Sequence, residues 1–421
     1  MRLVLSLSIL GAAFCLYNKS YVAAKSALFY DVRDLRGTHM TYEELKREME
    51  KYPETMSDGE RMQKYAAGEE VDHIPFSIQS NEEAMADIFG YTTAQWRNDV
   101  KVHIDVIRRR KEEFNIGGLA SGLRLRTMAQ AVGSEIYFPE VGIDRVIKPV
   151  LEDYDQLKTL MKDDPKKNPV FLSVLQRGID LKEAFPEMGI AMPVAGPFTN
   201  ASCIRPVEKI LRDTVRHPQE LHDLLSWCVD YTVAYAEMFA DQFGGGGCTI
   251  CDPVSCSDIL GMRNYKKFSE PHLVDLIEGL TQALGRKPGI HICGKTSPLW
   301  GEMSKLKVAN FSVDNMEDLS AAKEIMGPHF GLMGNVAPVD VMLNGTIDDV
   351  IETCKTCIIK GSEAPNGYTL GTGCQVPIGT PRENFDAFIY AARKYGRGAR
   401  KGCLPLGIAE EALSNVIETK E

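Results

Sequence analysis

From Ile190 to Lys394 the chain keeps a beat that few folds accommodate: a short apolar, strand-like run, then a helical stretch, repeated. Ile190–Val194 leads into helical patterns over Pro206–Asp213 and Pro218–Phe243, and Cys248–Cys251 into Asn264–Leu284. Gly289–Cys293 is followed by Leu299–Lys305, Asn310–Val313 by Asp318–Met326, and Phe330–Met333 by Val339–Leu343 and Ile347–Lys360. Tyr368–Leu370 is followed by Arg382–Lys394. With an earlier strand at Phe76–Ile78, about eight strands alternate with helices, the pattern of a parallel α/β domain. No dinucleotide fingerprint follows any strand. Polar or glycine-rich residues recur at the strand ends instead. A closed (β/α)8 barrel of the TIM type fits this better than an open sheet.

The remainder is less regular. The 421 residues, 44% of them apolar, suffice for a barrel-sized core. The net charge of −10 argues against non-specific nucleic-acid binding. Arg2, the apolar run Leu3–Tyr17 and Val22-Ala23-Ala24 match the outline of a secretory signal. A misassigned leader, or a helix packed on the domain, matches them too. The run is too short for a membrane span, so neither membrane nor nucleic acid is an expected partner. Eleven cysteines in so long and apolar a chain suit reduced thiols in a cytoplasm better than a disulfide framework.

Thr41 caps an expected helix over Tyr42–Tyr52, and Glu60–Ala67 is a helix ended by Gly68. Asn81–Phe89 and Thr93–Glu113 read as helices, and Ile136–Glu140 with Ile143–Val150 as a small strand pair. Tyr154–Lys162 and Leu175–Phe185 are helical. The expected organisation is a leader and arm over 1–57, a barrel over 58–397 and a tail helix within 398–421, entered through the basic turn Gly396–Gly402.

In a barrel of this kind the working groups sit at the C-terminal ends of the strands. Ile290-His291-Ile292-Cys293 ends in Gly294, and alternation points His291 and Cys293 to one side. An imidazole and a thiol aimed at one point are two soft ligands. Cys374, in the glycine-lined turn Gly371–Pro377 after another apolar strand, is the third. Three protein ligands leave an open position, the mark of a catalytic zinc site, and an N/S/S set favours zinc over magnesium or calcium. Asp314, at the next strand end, is a fourth ligand, a partner of His291 or only a hydrogen-bonding residue. These three readings stay open.

Other cysteines invite other readings. Cys248 with Cys251, and Cys354 with Cys357, are two C-x-x-C pairs. The second lies inside a helical pattern, and the pairs are too far apart for a zinc ribbon. Both read as structural, with Cys251 or Cys256 left as candidates to line the site. Gly244–Gly247 lacks the Lys-Ser/Thr of a phosphate loop and reads as a helix-to-strand connection.

Gly289–Gly294, Gly373-Cys374 and Pro377-x-Gly379-Thr380-Pro381-x-Glu383-Asn384 together resemble the uroporphyrinogen decarboxylase superfamily, in its zinc-dependent corrinoid methyltransferase branch. Tyr65–Pro75, Gly196-Pro197-Phe198-Thr199, Asp252-Pro253 and Ala391–Gly396 fit the same likeness, which covers roughly residues 58–397. It implies a barrel whose zinc, on His291, Cys293 and Cys374, activates an acceptor thiol or a small methylated substrate. Methylcobalamin or another corrinoid is then the co-substrate, brought by a separate corrinoid protein, because no Asp-x-His-x-x-Gly cobalamin motif is visible here.

Two alternatives remain: a metal-free decarboxylase and a zinc- or corrinoid-binding accessory protein without turnover. Decarboxylases of the family carry an Arg-Gln-Ala-Gly-Arg-type segment near the first strand. Here that region reads Phe76-Ser77-Ile78-Gln79-Ser80-Asn81, and Arg124, Arg126 and Arg205 are the arginines left to grip carboxylates.

Overall fold

A computed structural model describes residues 39–411. The apolar leader run and the tail beyond Glu411 lie outside the described residues. Of the tail helix, the described part is helical from Leu406. The described residues divide into two units, one ending at Glu44 and the other beginning at Leu45. In the first, Thr41 and Glu44 cap each other, the Thr41 N–H reaching the Glu44 carboxylate at 2.8 Å.

The second unit is built on eight parallel strands. They are β1 (Phe76–Ser77), β2 (Leu119–Ala120), β5 (Ile190–Ala195), β6 (Gly247–Cys251), β7 (Gly289–His291), β8 (Asn310–Ser312), β9 (Gly331–Val336) and β10 (Tyr368–Thr372). Their order in the sheet is β1-β10-β9-β8-β7-β6-β5-β2, the order of the chain itself taken around a ring. Helices occupy the crossovers, and the architecture is a (β/α)8 barrel of the TIM type. Among the described residues no ladder joins β1 to β2, the two shortest strands. The expected strand pair forms apart from the barrel, as antiparallel β3 (Glu135–Tyr137) and β4 (Arg145–Lys148).

Register positions the site. Val194, Ile250, Ile290, Phe311, Leu332 and Tyr368 lie side by side across β5 to β10. None is more than 2% exposed. Full burial of one such side chain contributes about 1.5–3 kcal/mol. One residue further along, side chains turn to the opposite face. That row holds Cys251, His291 and Ser312 as direct neighbours. The apolar row therefore locks the register that brings the polar row together.

Several elements differ from expectation for local reasons. The eighth strand is Leu119–Ala120, two residues between Gly117-Gly118 and Ser121-Gly122. So short and glycine-flanked a segment has no periodicity to read. The helix expected over Thr93–Glu113 is two, Thr93–Asn98 and Val100–Phe114. Asp99 separates them with an extended backbone and caps the second by accepting the Lys101 N–H. The stretch expected as one helix over Asn264–Leu284 changes pitch: a segment Ser257–Asn264 broken at Gly261, whose φ of 64° is non-helical, leads into a π-helical turn Tyr265–Ser269 and then Glu270–Leu284.

The glycine run is a helix-to-strand connection. Gly244 ends the helix Pro218–Phe243 in the left-handed region, and a Cβ on Gly245 would stand 2.8 Å from the Leu284 carbonyl. The basic turn after Tyr395 is paired with acids. Arg400 meets Glu70 at 3.0 Å, and Arg397 meets Glu410.

Candidate metal centre

His291 closes β7 and is 4% exposed. The strand stops there, two residues short of the expected end, and Cys293 lies in the turn that follows. The two side chains still converge: His291 Nε2 lies 3.0 Å from Cys293 Sγ. Cys374 arrives from the turn after β10, with its Sγ 3.4 Å from that of Cys293. The three donor atoms all lie within 4.8 Å of one another.

The turns that carry the thiols are tightly seated. Gly294 adopts φ 80°, a conformation that favours glycine. Asp314, 5% exposed, accepts the Gly294 N–H at 2.8 Å and the Met316 N–H at 2.9 Å. It stands outside the converging group of three, and both carboxylate oxygens already serve backbone donors. Gly373, before Cys374, packs on the chain after β8. A Cβ there would lie 2.4 Å from the Asn315 nitrogen.

Electrostatics set the two thiols against each other. The Cys293–Cys374 hydrogen bond pulls Cys374 down against the effect of burial. The same bond, then burial, pushes Cys293 up. The pair releases its first proton readily and its second only against strong opposition. A divalent cation reverses that opposition, because it favours both thiolates at once. An imidazole nitrogen and two thiols converging here are a donor set that fits zinc.

His291 Nδ1 faces away from the cysteines, 3.0 Å from Ser312 Oγ and 3.3 Å from the Ser312 carbonyl. A carbonyl only accepts, so Nδ1 carries the proton and Nε2 keeps its lone pair toward the thiols. Ser312 is a site residue that sequence reasoning passed over. Only its place in the polar row could have signalled it.

The other thiols divide as their positions dictate. Cys251 stands opposite His291 in the ladder, half-buried, and burial followed by the nearby Cys374 raises it to about 12. Cys256 lies beside the Gly294 turn, 3.7 Å from where a Cβ on Gly294 would be. Cys248 falls on the other face of β6 and is buried. Cys354 and Cys357 sit inside the helix Ile347–Gly361, both buried and both pushed up by desolvation.

The family model described as uroporphyrinogen decarboxylase (URO-D) matches residues 57–395, well over half of the chain. The chain belongs to the uroporphyrinogen decarboxylase family. A methylated-thiol–coenzyme M methyltransferase of Methanosarcina mazei is 23% identical over 332 residues, 78% of this chain and 86% of that protein. A methylcobamide:CoM methyltransferase of Methanosarcina acetivorans is 27% identical over 251 residues, 59% of this chain and 71% of that protein. A uroporphyrinogen decarboxylase of Idiomarina loihiensis is 24% identical over 280 residues, 64% and 75% respectively. A solved methyltransferase structure from Methanosarcina mazei shares the fold, with TM-score 0.67 at 20% identity, covering 80% of this chain and 98% of that one. The resemblance read from the sequence is therefore borne out, with methyltransferases of the family among the relatives.

The arginines that a decarboxylase reading would need are engaged elsewhere. Arg205 is buried against Asp213 at 2.7 Å and donates to the Glu152 carbonyl. Arg124 pairs with Glu83 and covers the Trp96 ring, and Arg126 faces Asp144 at 4.0 Å. Each of the three already faces an acid.

Proposed function

We propose that this protein moves a methyl group between a corrinoid and a thiol or small methylated substrate, with zinc held by His291, Cys293 and Cys374. The observation that supports this most is the convergence of those three donors from two distant strand ends. Relatives named as corrinoid and thiol methyltransferases add to it. Bound there, zinc would lower the pKa of a substrate thiol so that a thiolate exists at neutral pH.

The chain's own residues prepare that chemistry. Ser312 accepts the Nδ1 proton of His291 and leaves Nε2 directed at the centre. Asp314 and the close seat of Gly373 hold the two cysteine turns in place. Cys251 narrows the centre on the β6 side. In the thiol-methylating direction, a sulfur–carbon bond forms as the cobalt–carbon bond of the second substrate breaks, with both electrons staying on the corrinoid. The reverse direction uses the same groups. In this reading residues 58–397 form the catalytic barrel, and the corrinoid arrives on a separate protein in the cytoplasm. Among the described residues no helix is long and apolar enough to cross a membrane.

The experiment is spectral. Zinc-loaded protein is mixed with methylcobalamin and a panel of small thiols, and with cob(I)alamin and a panel of methylated thiols and methoxy compounds. A thiol-dependent appearance of cob(I)alamin, or its substrate-dependent loss, is expected, and Cys374→Ala should abolish it. No exchange in either direction contradicts the proposal.

A further inference from the structure

The segment in which this chain departs from the decarboxylases' arginine pattern, Phe76–Asn81, runs directly into the metal centre. Gln79, two residues past β1, is half-buried. Its side-chain Nε2 donates to the Thr372 carbonyl at 2.7 Å and to Ser312 Oγ at 2.6 Å. The carbonyl can only accept, so the amide nitrogen, not its oxygen, must face this side. Its backbone is held as well. The Gln79 N–H donates to Thr372 Oγ1 at 3.0 Å, and its carbonyl accepts the Val376 N–H at 3.2 Å. These bonds fall on either side of Cys374.

We propose that Gln79 is a positioning residue of the metal centre, acting through Ser312 to hold the His291 imidazole in the Nδ1–H form with Nε2 free for the metal. The inference rests on the zinc reading above. Gln79 donates into one lone pair of Ser312 Oγ and fixes that hydroxyl beside His291, where it accepts from Nδ1. Without the amide, Ser312 is free to rotate and the imidazole to turn or change tautomer. Partners of this kind typically set metal affinity by about 10–100-fold.

The test measures zinc dissociation constants by chelator competition for the wild type, Gln79→Leu, Ser312→Ala and the double variant, with melting of the metal-free proteins as a folding control. Gln79→Leu should weaken zinc about 10–100-fold, and Ser312→Ala by a similar factor. Because both act along one path, the double variant should fall no more than about 3-fold below the weaker single variant. Side-chain nitrogen NMR of zinc-loaded Gln79→Leu should show an altered His291 signal. If Gln79→Leu does not fold, Gln79→Met, matched in length, takes its place. Wild-type-like zinc affinity in the Gln79 variant, or effects that multiply in the double variant, overturn the inference while leaving the zinc reading intact. Wild-type protein that takes up no zinc overturns both.

Discussion

Cys354 and Cys357 lie one turn apart on a single helix; Cys293 and Cys374 lie at the ends of different strands. By sequence spacing alone, the helical pair is the better metal motif. In the fold the ranking inverts. The helical thiols are buried in the core, Cys354 fully, and desolvation pushes both up. Among the described residues they belong to no group of converging ligands. The strand-end thiols are half-buried and 3.4 Å apart, beside an imidazole whose far nitrogen is already partnered. A parallel barrel accounts for the difference. Its register gathers strand ends that are remote in sequence, while its helices send their apolar face, cysteines included, into the core.

Three measurements can break that contrast, and the largest effect comes from deleting one thiol of each pair. Cys374→Ala should lower zinc affinity by more than about 100-fold, exceeding what loss of an outer partner costs. Cys357→Ala should leave zinc content unchanged and cost about 1 kcal/mol of stability. Equal zinc loss in both variants would erase the distinction.

Alkylation of the native, metal-free protein sharpens it. The thiolate is the reactive form, so a thiol with a lowered pKa keeps reacting as pH falls below the ordinary value of about 8.5. At about pH 7, peptide mapping should find iodoacetamide on Cys374 well before Cys354 and Cys357, with zinc protecting it. Cys354 and Cys357 should stay unlabelled until the protein unfolds. Early labelling of the helical pair contradicts the assignment.

The smallest effect tests the seat of Cys374. Gly373→Ala forces a Cβ onto the Asn315 backbone and should cost about 1–3 kcal/mol in denaturant melts, with weaker zinc binding. Gly301→Ala, with nothing within 4 Å of the new Cβ, should stay within about 0.5 kcal/mol of wild type. Matching melts for the two variants would show that the turn has room to spare.

How much of this was legible in the sequence follows from the range of each signal. Alternation of strand and helix, the convergence of His291 and Cys293, and the glycine turns are local, and they led to a barrel and to the three donors. The chain could not announce β2, whose two residues lack periodicity, or the break at Asp99, which is a matter of capping. The partners behind the donors are the deeper loss. Ser312 meets His291 only through the β7–β8 register, and Gln79 meets Ser312 only because the sheet curls until β1 lies against β10. Asp314 stood out as a carboxylate at a strand end, but its partners are the backbone N–H groups of Gly294 and Met316, which no residue pattern reveals.

Two distant thiols and one imidazole should together form a single zinc centre in the loaded protein. X-ray absorption at the zinc edge of the loaded protein tests it most directly. Such a centre gives two sulfur neighbours at about 2.3 Å and a histidine nitrogen at about 2.0–2.1 Å, with one sulfur lost in Cys374→Ala. A shell of only nitrogen and oxygen, or a spectrum unchanged in Cys374→Ala, would contradict it.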